Sequence, residues 1–390
     1  MRLAIYSDFS YRRDGVQVWA ELPVVVFLAG LARWLDAVTL VGRLDPGSGP
    51  WAYRVPAEVS FAPLPHYASL ARPVAALRAL ASSTARFWRV LDDVDGVWLL
   101  GPHPFGVAFA LLARLRGRSV ALGVRQDLPA YVASRHPGNR ALRLAAFALE
   151  GVWRLLARGC PVVVVGPDLA RRYRRARHLL PAVISLVGES EIAGPAALHA
   201  RDYSGELRVL SVGRLAEEKN PLLLADVLAS LVGTDRRWRL VVCGDGPLLP
   251  ALAARLEHLG VADHAELRGF VSLADGLAEL YRSSHLLLHC SWTEGVPGVL
   301  MEASAARLAM VATAVGGVAE AVDGAALLVQ PGDSDAAADA LRELAGDAGL
   351  RDRLTETAAA RVREHSREAE TARVARFLAA RGADSLESGA

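Results

Sequence analysis

Leu286-Leu287-Leu288-His289-Cys290-Ser291-Trp292-Thr293-Glu294-Gly295-Val296-Pro297-Gly298-Val299-Leu300-Met301-Glu302-Ala303 is the stretch on which the fold turns. A short apolar run, Leu286–His289, enters a loop rich in Gly and Pro. A helical pattern follows, from Gly298 to Leu308. A strand that is apolar on both sides belongs to a parallel sheet covered on both faces. Pro297 suits the first turn of the helix, where its missing N–H costs nothing. Glu294 then lies in the loop, and Glu302 projects from about the second turn.

The same grammar extends in both directions. Upstream in the second half, strands are expected at Leu207–Val212, Leu240–Cys243 and His264–Leu267, with a helix over Leu222–Leu231. Downstream, Met310–Ala314 and Ala326–Val329 continue the strands, and residues 335–381 are mostly helical. The first half alternates likewise. Its strands are expected at Leu3–Ser7, Val38–Val41, Val97–Leu100, Val120–Val124, Val162–Val165 and Val183–Val187, and its helices at Pro73–Val90 and Asn139–Ala157. Alternation of this kind predicts parallel α/β sheets. Gly188–Gly205, rich in Gly and small residues, reads as a linker. The expected domains are 1–195 and 196–365. Residues 366–390 would form a helix packing back on the N-terminal domain, with a short tail.

Composition agrees with two domains. The chain has 390 residues, 52% hydrophobic and 22% charged, enough to bury sizeable cores. Its net charge of +2 conceals an excess of 10 positive charges in residues 1–200 and of 8 negative charges in residues 201–390. A basic half could face anionic lipid or an acidic acceptor, and a solvated basic surface fits equally. The run Arg171–Arg177 is expected on a helix, with cations spread over more than half its circumference. Cys160, Cys243 and Cys290 lie far apart beside apolar runs, with no metal-ligand spacing, so buried free thiols in a reducing compartment are expected. No signal peptide and no run long enough to span a bilayer is seen. The reading is a cytoplasmic protein, with a peripheral place at the inner membrane face left open.

Four loops carry the chemistry. The first is Glu294–Glu302, whose glycines admit a ligand to the backbone and whose Gly298 and Val299 amides open a helix N-terminus suited to phosphate. The same spacing also fits an ordinary strand–loop–helix with two surface glutamates. The second is Val212–Pro221, where Arg214 and Lys219 could clamp a diphosphate. Lys219 is the only lysine among 44 basic residues. Glu217 and Glu218 could instead offset both cations. The third, Val242–Leu248, has Gly244-Asp245-Gly246 but Leu249 where a dinucleotide fingerprint needs glycine. The fourth is Val315–Glu320.

In this order the loops resemble the donor domain of the GT-B glycosyltransferases, specifically glycosyltransferase family 4. The family's Gly-Arg-Leu…Glu-Lys loop is matched by Gly213–Lys219, and its Gly-x-Gly-Pro turn by Gly244–Pro247. Its Gly-Phe/Tyr-Val strand end is matched by Arg268–Val271, its E-x7-E by Glu294–Glu302 and its Val-Gly-Gly loop by Val315–Glu320. The resemblance covers about residues 206–335. It implies two Rossmann-like doubly wound parallel-sheet domains facing a cleft. It also implies a retaining hexosyltransferase that uses a nucleoside-diphosphate sugar, UDP- or GDP-linked, with no further cofactor and no metal. By the resemblance, Arg214 and Lys219 would hold the diphosphate and Glu294 with Gly295 the donor sugar. Glu302 would hold the ribose, and Gly298 and Val299 would add phosphate donors. Gly244, Asp245, Gly246, Phe270 and Val271 would frame the base and ribose. Asp93–Asp95 and Asp333–Asp335 fall outside these loops and are not read as metal sites.

The first half departs from the pattern. Where the family often has Gly-Gly after the first strand, this chain has Tyr11-Arg12-Arg13-Asp14-Gly15-Val16, with Gly15 alone. The family's histidine at a later strand end is replaced by Gly123-Val124-Arg125-Gln126-Asp127. The acceptor-side candidates are therefore Asp14, His103, Arg125 and Asp127. Pro63–Tyr67 and Trp51–Tyr53 offer aromatics for an acceptor. The expected partners are a sugar nucleotide and a hydroxyl acceptor (polysaccharide, glycolipid or secondary metabolite), with no nucleic acid. An epimerase on the same fold, or a sugar-nucleotide-binding protein without catalysis, would share the donor loops.

Overall fold

The structure is a computed structural model. It describes residues 1–390 apart from 48, 68–72, 137, 273–275 and 388–390. The chain forms two compact units, one of residues 1–186 with 367–390 and the other of residues 187–366.

The first unit is built on β1 (Arg2–Asp14), β2 (Gln17–Ala20), β3 (Ala37–Asp45), β4 (Tyr53–Arg54), β5 (Ser60–Leu64), β6 (Gly96–Gly101), β7 (Ser119–Val124), β8 (Pro161–Val165) and β9 (His178–Ala182). Its parallel core runs β5-β3-β1-β6-β7-β8-β9. Alternate residues feed opposite layers. Val97 and Leu99 join one buried cluster with Phe105 and Phe109, while Trp98 and Leu100 join the other with Phe27 and Leu28. β2 and β4 add antiparallel pairs at the far end of β1.

The second unit has β10 (Leu207–Val212), β11 (Trp238–Cys243), β12 (Ala265–Leu267), β13 (Leu286–His289), β14 (Ala309–Thr313) and β15 (Leu327–Val329). All pairs are parallel, in the order β12-β11-β10-β13-β14-β15. Leu286 and Leu288 face one core layer and Leu287 the other, as a doubly covered strand requires. In each unit the order reverses beside the first strand, between β1 and β6 and between β10 and β13. Open α/β sheets bind ligands just beyond the carboxyl ends of such a pair.

Several expectations change. Val183–Val187 is not a strand, because β9 ends at Ala182. Ile184 and Leu186 are apolar because they pack into the layer that includes Val374 and Leu378 of the helix Arg367–Glu387, and Glu370 accepts the Val183 amide at 3.3 Å. The arginine run is helical only to Arg172, where Pro167–Arg172 gives way to a turn. His264 lies in a short 3-10 turn, one residue before β12. The expected linker is anchored within the second unit. Arg201 donates to the carbonyls of Ser284, Ala306 and Arg307 at 2.7, 2.8 and 2.9 Å. That unit begins at Val187 rather than 196.

Candidate functional site

The carboxyl edge of the second sheet is stitched together by backbone. Gly213 N–H donates to Cys243 O at 3.0 Å, Leu215 to Asp245 at 2.9 Å, and Gly244 to Gly269 at 2.7 Å. These bonds bring the loops after β10, β11 and β12 into contact. A Cβ on Gly244 would stand 1.8 Å from Gly213 O, so only glycine permits the approach. The loops after β13 and β14 meet similarly. A Cβ on Gly316, at φ +49°, would stand 1.9 Å from Glu294 O.

Between β10 and β13 lies a pocket lined by Gly213, Arg214, Lys219, His289, Ser291, Glu294, Gly298 and Val299, among others. Its centre is Glu294, whose side chain is only 9% exposed. One carboxylate oxygen accepts from Ser291 Oγ at 2.7 Å, from His289 Nε2 at 3.0 Å, and from Lys219 Nζ. Burial alone would push this acid up. The His289 hydrogen bond, the Lys219 charge and the further bonds from Lys219 and Ser291 overcome it and hold the acid at about 2. Lys219 and Glu294, given separate partners on the sequence, are thus paired with each other. Arg214 pairs with Glu218, as the offsetting alternative foresaw, and remains half exposed at the pocket wall.

The helix after β13 runs Gly298–Ala305, with Pro297 at its N-cap rather than in its first turn. Pro297 is extended, at ψ 122°, which places it just outside the helix. The amides of Gly298 and Val299 have no intrahelical carbonyl partner and border the pocket. Glu302 sits apart from Glu294, accepting from Tyr281 Oη at 2.7 Å. Burial raises its pKa, the Tyr281 bond opposes this, and the negative charge of Glu191 adds to it. Gly246 N–H donates to the Asp245 side chain at 3.1 Å, in an exposed turn. Phe270 is 66% exposed, while Val271 packs on the core, and Gly295 lies in the open loop.

The first unit holds a second polar cluster, at the switch between β1 and β6. His103 caps the helix Pro104–Leu115 and accepts the Phe105 amide on Nδ1 at 3.3 Å. Tyr6 Oη lies 2.9 Å from the same nitrogen and so donates to it. The neutral ring therefore carries its proton on Nε2, which faces Tyr67 Oη at 3.3 Å and Asp8 Oδ2 at 3.4 Å. Tyr67 donates to Asp8 Oδ1, and Arg43 Nε reaches that oxygen at 3.2 Å. Burial lowers the His103 pKa, against the pull of Asp8, and the charge of Arg43 lowers it further. His103 is thus a neutral, locked donor, and Asp8 is the charged group of the cluster with the most exposed side chain, at 28% against 18% for Arg43.

The other acceptor-side candidates lie elsewhere. Asp14 and Gly15 do not form a loop at the sheet edge. β1 continues past its parallel partners, and Asp14 pairs with Gln17 across a two-residue hairpin turn. Gly15 takes φ +58° as the first of the two central turn residues, a position that favours glycine. Both residues are exposed at the tip. Asp127 caps the helix Leu128–Arg135 and pairs with Arg172 at 2.6 Å. Arg125 lies over the Phe9 ring at 5.5 Å. Of the Asp-x-Asp pairs, Asp95 receives the Arg2 amide at 2.7 Å, and Asp333 caps the helix Ser334–Gly346.

The sequence reading missed His289, Asp8 and Arg43. The traces they left were a histidine closing an apolar strand and an Asp directly after the first one.

Comparison with known proteins points the same way. The Glycosyl transferases group 1 family profile matches residues 200–361. The chain is 32% identical to the alpha-D-kanosaminyltransferase of Streptomyces kanamyceticus over 288 residues, 70% of this chain and 71% of that one. It is 30% identical, over 69% of this chain and 70% of the relative, to the GDP-mannose-dependent alpha-(1-6)-phosphatidylinositol monomannoside mannosyltransferase of Mycobacterium tuberculosis. Among solved structures, Anabaena Alr3699/HepE in complex with UDP aligns at TM-score 0.70 and 16% identity, over 97% of this chain and 100% of that one. WaaG, a glycosyltransferase involved in lipopolysaccharide biosynthesis, aligns at 0.68 and 17%, over 96% and 99%. These two share the fold.

Proposed function

The chain belongs to the group 1 glycosyl transferases, of GT-B fold, and from that premise we propose that it is a family 4 enzyme. It would transfer a hexose-type sugar, with retention, from a UDP- or GDP-sugar to an acceptor hydroxyl. Membership of a transferase family disfavours the epimerase and binding-only alternatives. The observation that carries the proposal is the knot of Lys219, Glu294, His289 and Ser291 at the β10/β13 switch, beside a free helix N-terminus.

Each part has a use in transfer. As the donor enters, its diphosphate takes Lys219 from Glu294 and draws Arg214 from Glu218. The Gly298 and Val299 amides add donors and the helix dipole. These fixed positive groups stabilise the departing diphosphate, the work a metal would otherwise do. The freed Glu294, still held by His289 and Ser291, accepts hydroxyls of the sugar. Glu302 takes the ribose, and the Gly244–Gly246 turn with Phe270 and Val271 frames the base. On the acceptor side, Asp8 orients the attacking hydroxyl, held by His103, Tyr67 and Arg43. Retention is supported by the relatives named above, which carry alpha in their names; one of them draws on GDP-mannose, itself an α-linked donor. Buried free thiols at all three cysteines suit a cytoplasmic enzyme.

The test is thermal shift with UDP-, GDP- and ADP-sugars on wild type, Lys219→Ala and Glu294→Gln, followed by NMR of the product's anomeric proton. One nucleotide family should stabilise wild type, and Lys219→Ala should lose most of that shift. A donor site elsewhere is indicated if Lys219→Ala keeps the full shift, and a product of inverted configuration refutes retention.

A further inference from the structure

The helix Arg140–Ala157 of the first unit is apolar on two opposite faces. Ala146, Glu150, Trp153 and Ala157 are buried against the domain. On the far side, Leu144, Ala148, Gly151 and Leu155 fall within a wedge of roughly 60° at 3.6 residues per turn. Leu144, Phe147 and Leu155 are 72%, 61% and 63% exposed. A run of large apolar side chains on the outer face of a helix is normally covered, so this face calls for a cover. Its charges are one-sided as well. Arg140, Arg143 and Arg154 flank the stripe, with Arg158 just beyond. The helix's only acid, Glu150, is turned inward to accept from Tyr173 Oη at 2.8 Å.

Beside the stripe is a groove of about 390 Å³ walled by Arg154, Leu155, Arg158, Arg172, Tyr173 and Arg175. Arg172 is paired with Asp127. Among the described residues, Arg154, Arg158 and Arg175 form no salt bridge. Arg154 shares the charge of the inward Glu150, whereas Arg158 and Arg175 have no acid facing them among those residues. Guanidiniums so placed around one groove suit a phosphate, and an apolar stripe beside them suits acyl chains.

We propose that this face docks on an anionic phospholipid surface. The stripe would be sunk at the acyl boundary and a headgroup phosphate held in the arginine groove. Charge decides the occupant. A second copy on the same face would set arginines against arginines, whereas a lipid surface bearing phosphates complements them. No helix among the described residues is long and apolar enough to cross a membrane, so the contact is one of surface docking. With the transferase reading above, on which this last step rests, the acceptor is one displayed at a lipid surface.

Co-sedimentation with phosphatidylcholine vesicles, plain or doped with phosphatidylglycerol, tests it. Wild type should pellet with the doped vesicles and not the plain ones, and added salt should release it. Arg158→Gln and Arg175→Gln should each weaken partition about fivefold. Leu144→Ser with Leu155→Ser should weaken it by at least roughly tenfold. All four positions are on the surface, so melting temperature and the thermal shift by sugar nucleotide should stay at wild-type values. Those readouts separate failure of docking from failure of the transferase reading. The proposal is overturned if wild type ignores doped vesicles, if the arginine variants bind as wild type does, or if the serine variants instead abolish a dimer seen by sedimentation.

Discussion

Replacing Glu294 by Gln tests the centre of the donor site without any ligand. In the folded chain this acid is held at about 2 instead of its ordinary 4.5, by bonds from His289, Lys219 and Ser291 that outweigh its burial. A folded pKa below the unfolded one means stability gained on ionisation. That gain is present in full above the unfolded value and is lost as pH falls through the folded one. The gap between the two values corresponds to about 3 kcal/mol at neutral pH. Glutamine keeps the shape but not the charge, and it leaves Lys219 without its partner. For a unit of this size the melting transition should fall by roughly 10 °C at neutral pH. On acidification to about pH 3 the difference between variant and wild type should shrink to about half. Calorimetry at several pH values reads both quantities. The reasoning is refuted if the two proteins melt together at neutral pH, or if the difference keeps its full size under acid. Either result would mean that Glu294 ionises as an ordinary surface glutamate and that the knot does not form.

Three more perturbations probe neighbouring features. Tyr281→Phe removes the one hydroxyl serving the half-buried Glu302 and should cost about 1–3 kcal/mol at neutral pH. Because Glu302 is raised above its ordinary value, that cost should fade as pH drops and the acid takes up a proton, which urea unfolding at two pH values will show. Gly244→Ala forces a Cβ to within 1.8 Å of Gly213 O and should destabilise the second unit by roughly 2–4 kcal/mol, seen as a lower melting point. Asp8→Asn should leave nucleotide-induced stabilisation at its wild-type size while slowing transfer on the order of tenfold or more; equal losses in binding and transfer would remove Asp8 from the acceptor side.

Periodicity and composition determined much of this protein. Leu286–Leu288 could be read as a doubly buried strand because each residue is apolar, and both faces of the sheet are indeed covered. The lone Lys219 and the two glutamates eight positions apart were legible because each lies within one short turn or loop-to-helix segment, where spacing along the chain is spacing in space. Errors came where an apolar residue had a partner other than a sheet neighbour. Ile184 and Leu186 looked like a strand and are instead covered partly by a helix almost two hundred residues later. Asp14 and Gly15, expected near a ligand, instead end a strand and open a two-residue hairpin turn.

What only the tertiary structure decided is who meets whom. Asp8, Arg43, Tyr67 and His103 come from segments nearly a hundred residues apart, and no local pattern links them. They converge because the strand order places β6 beside β1, opening a gap at the carboxyl ends into which polar side chains must turn and satisfy one another. The same holds for Lys219 and Glu294, which were assigned to different parts of a donor on the sequence. Parallel pairing of β10 with β13 brings their loops together, and the two opposite charges meet there as partners.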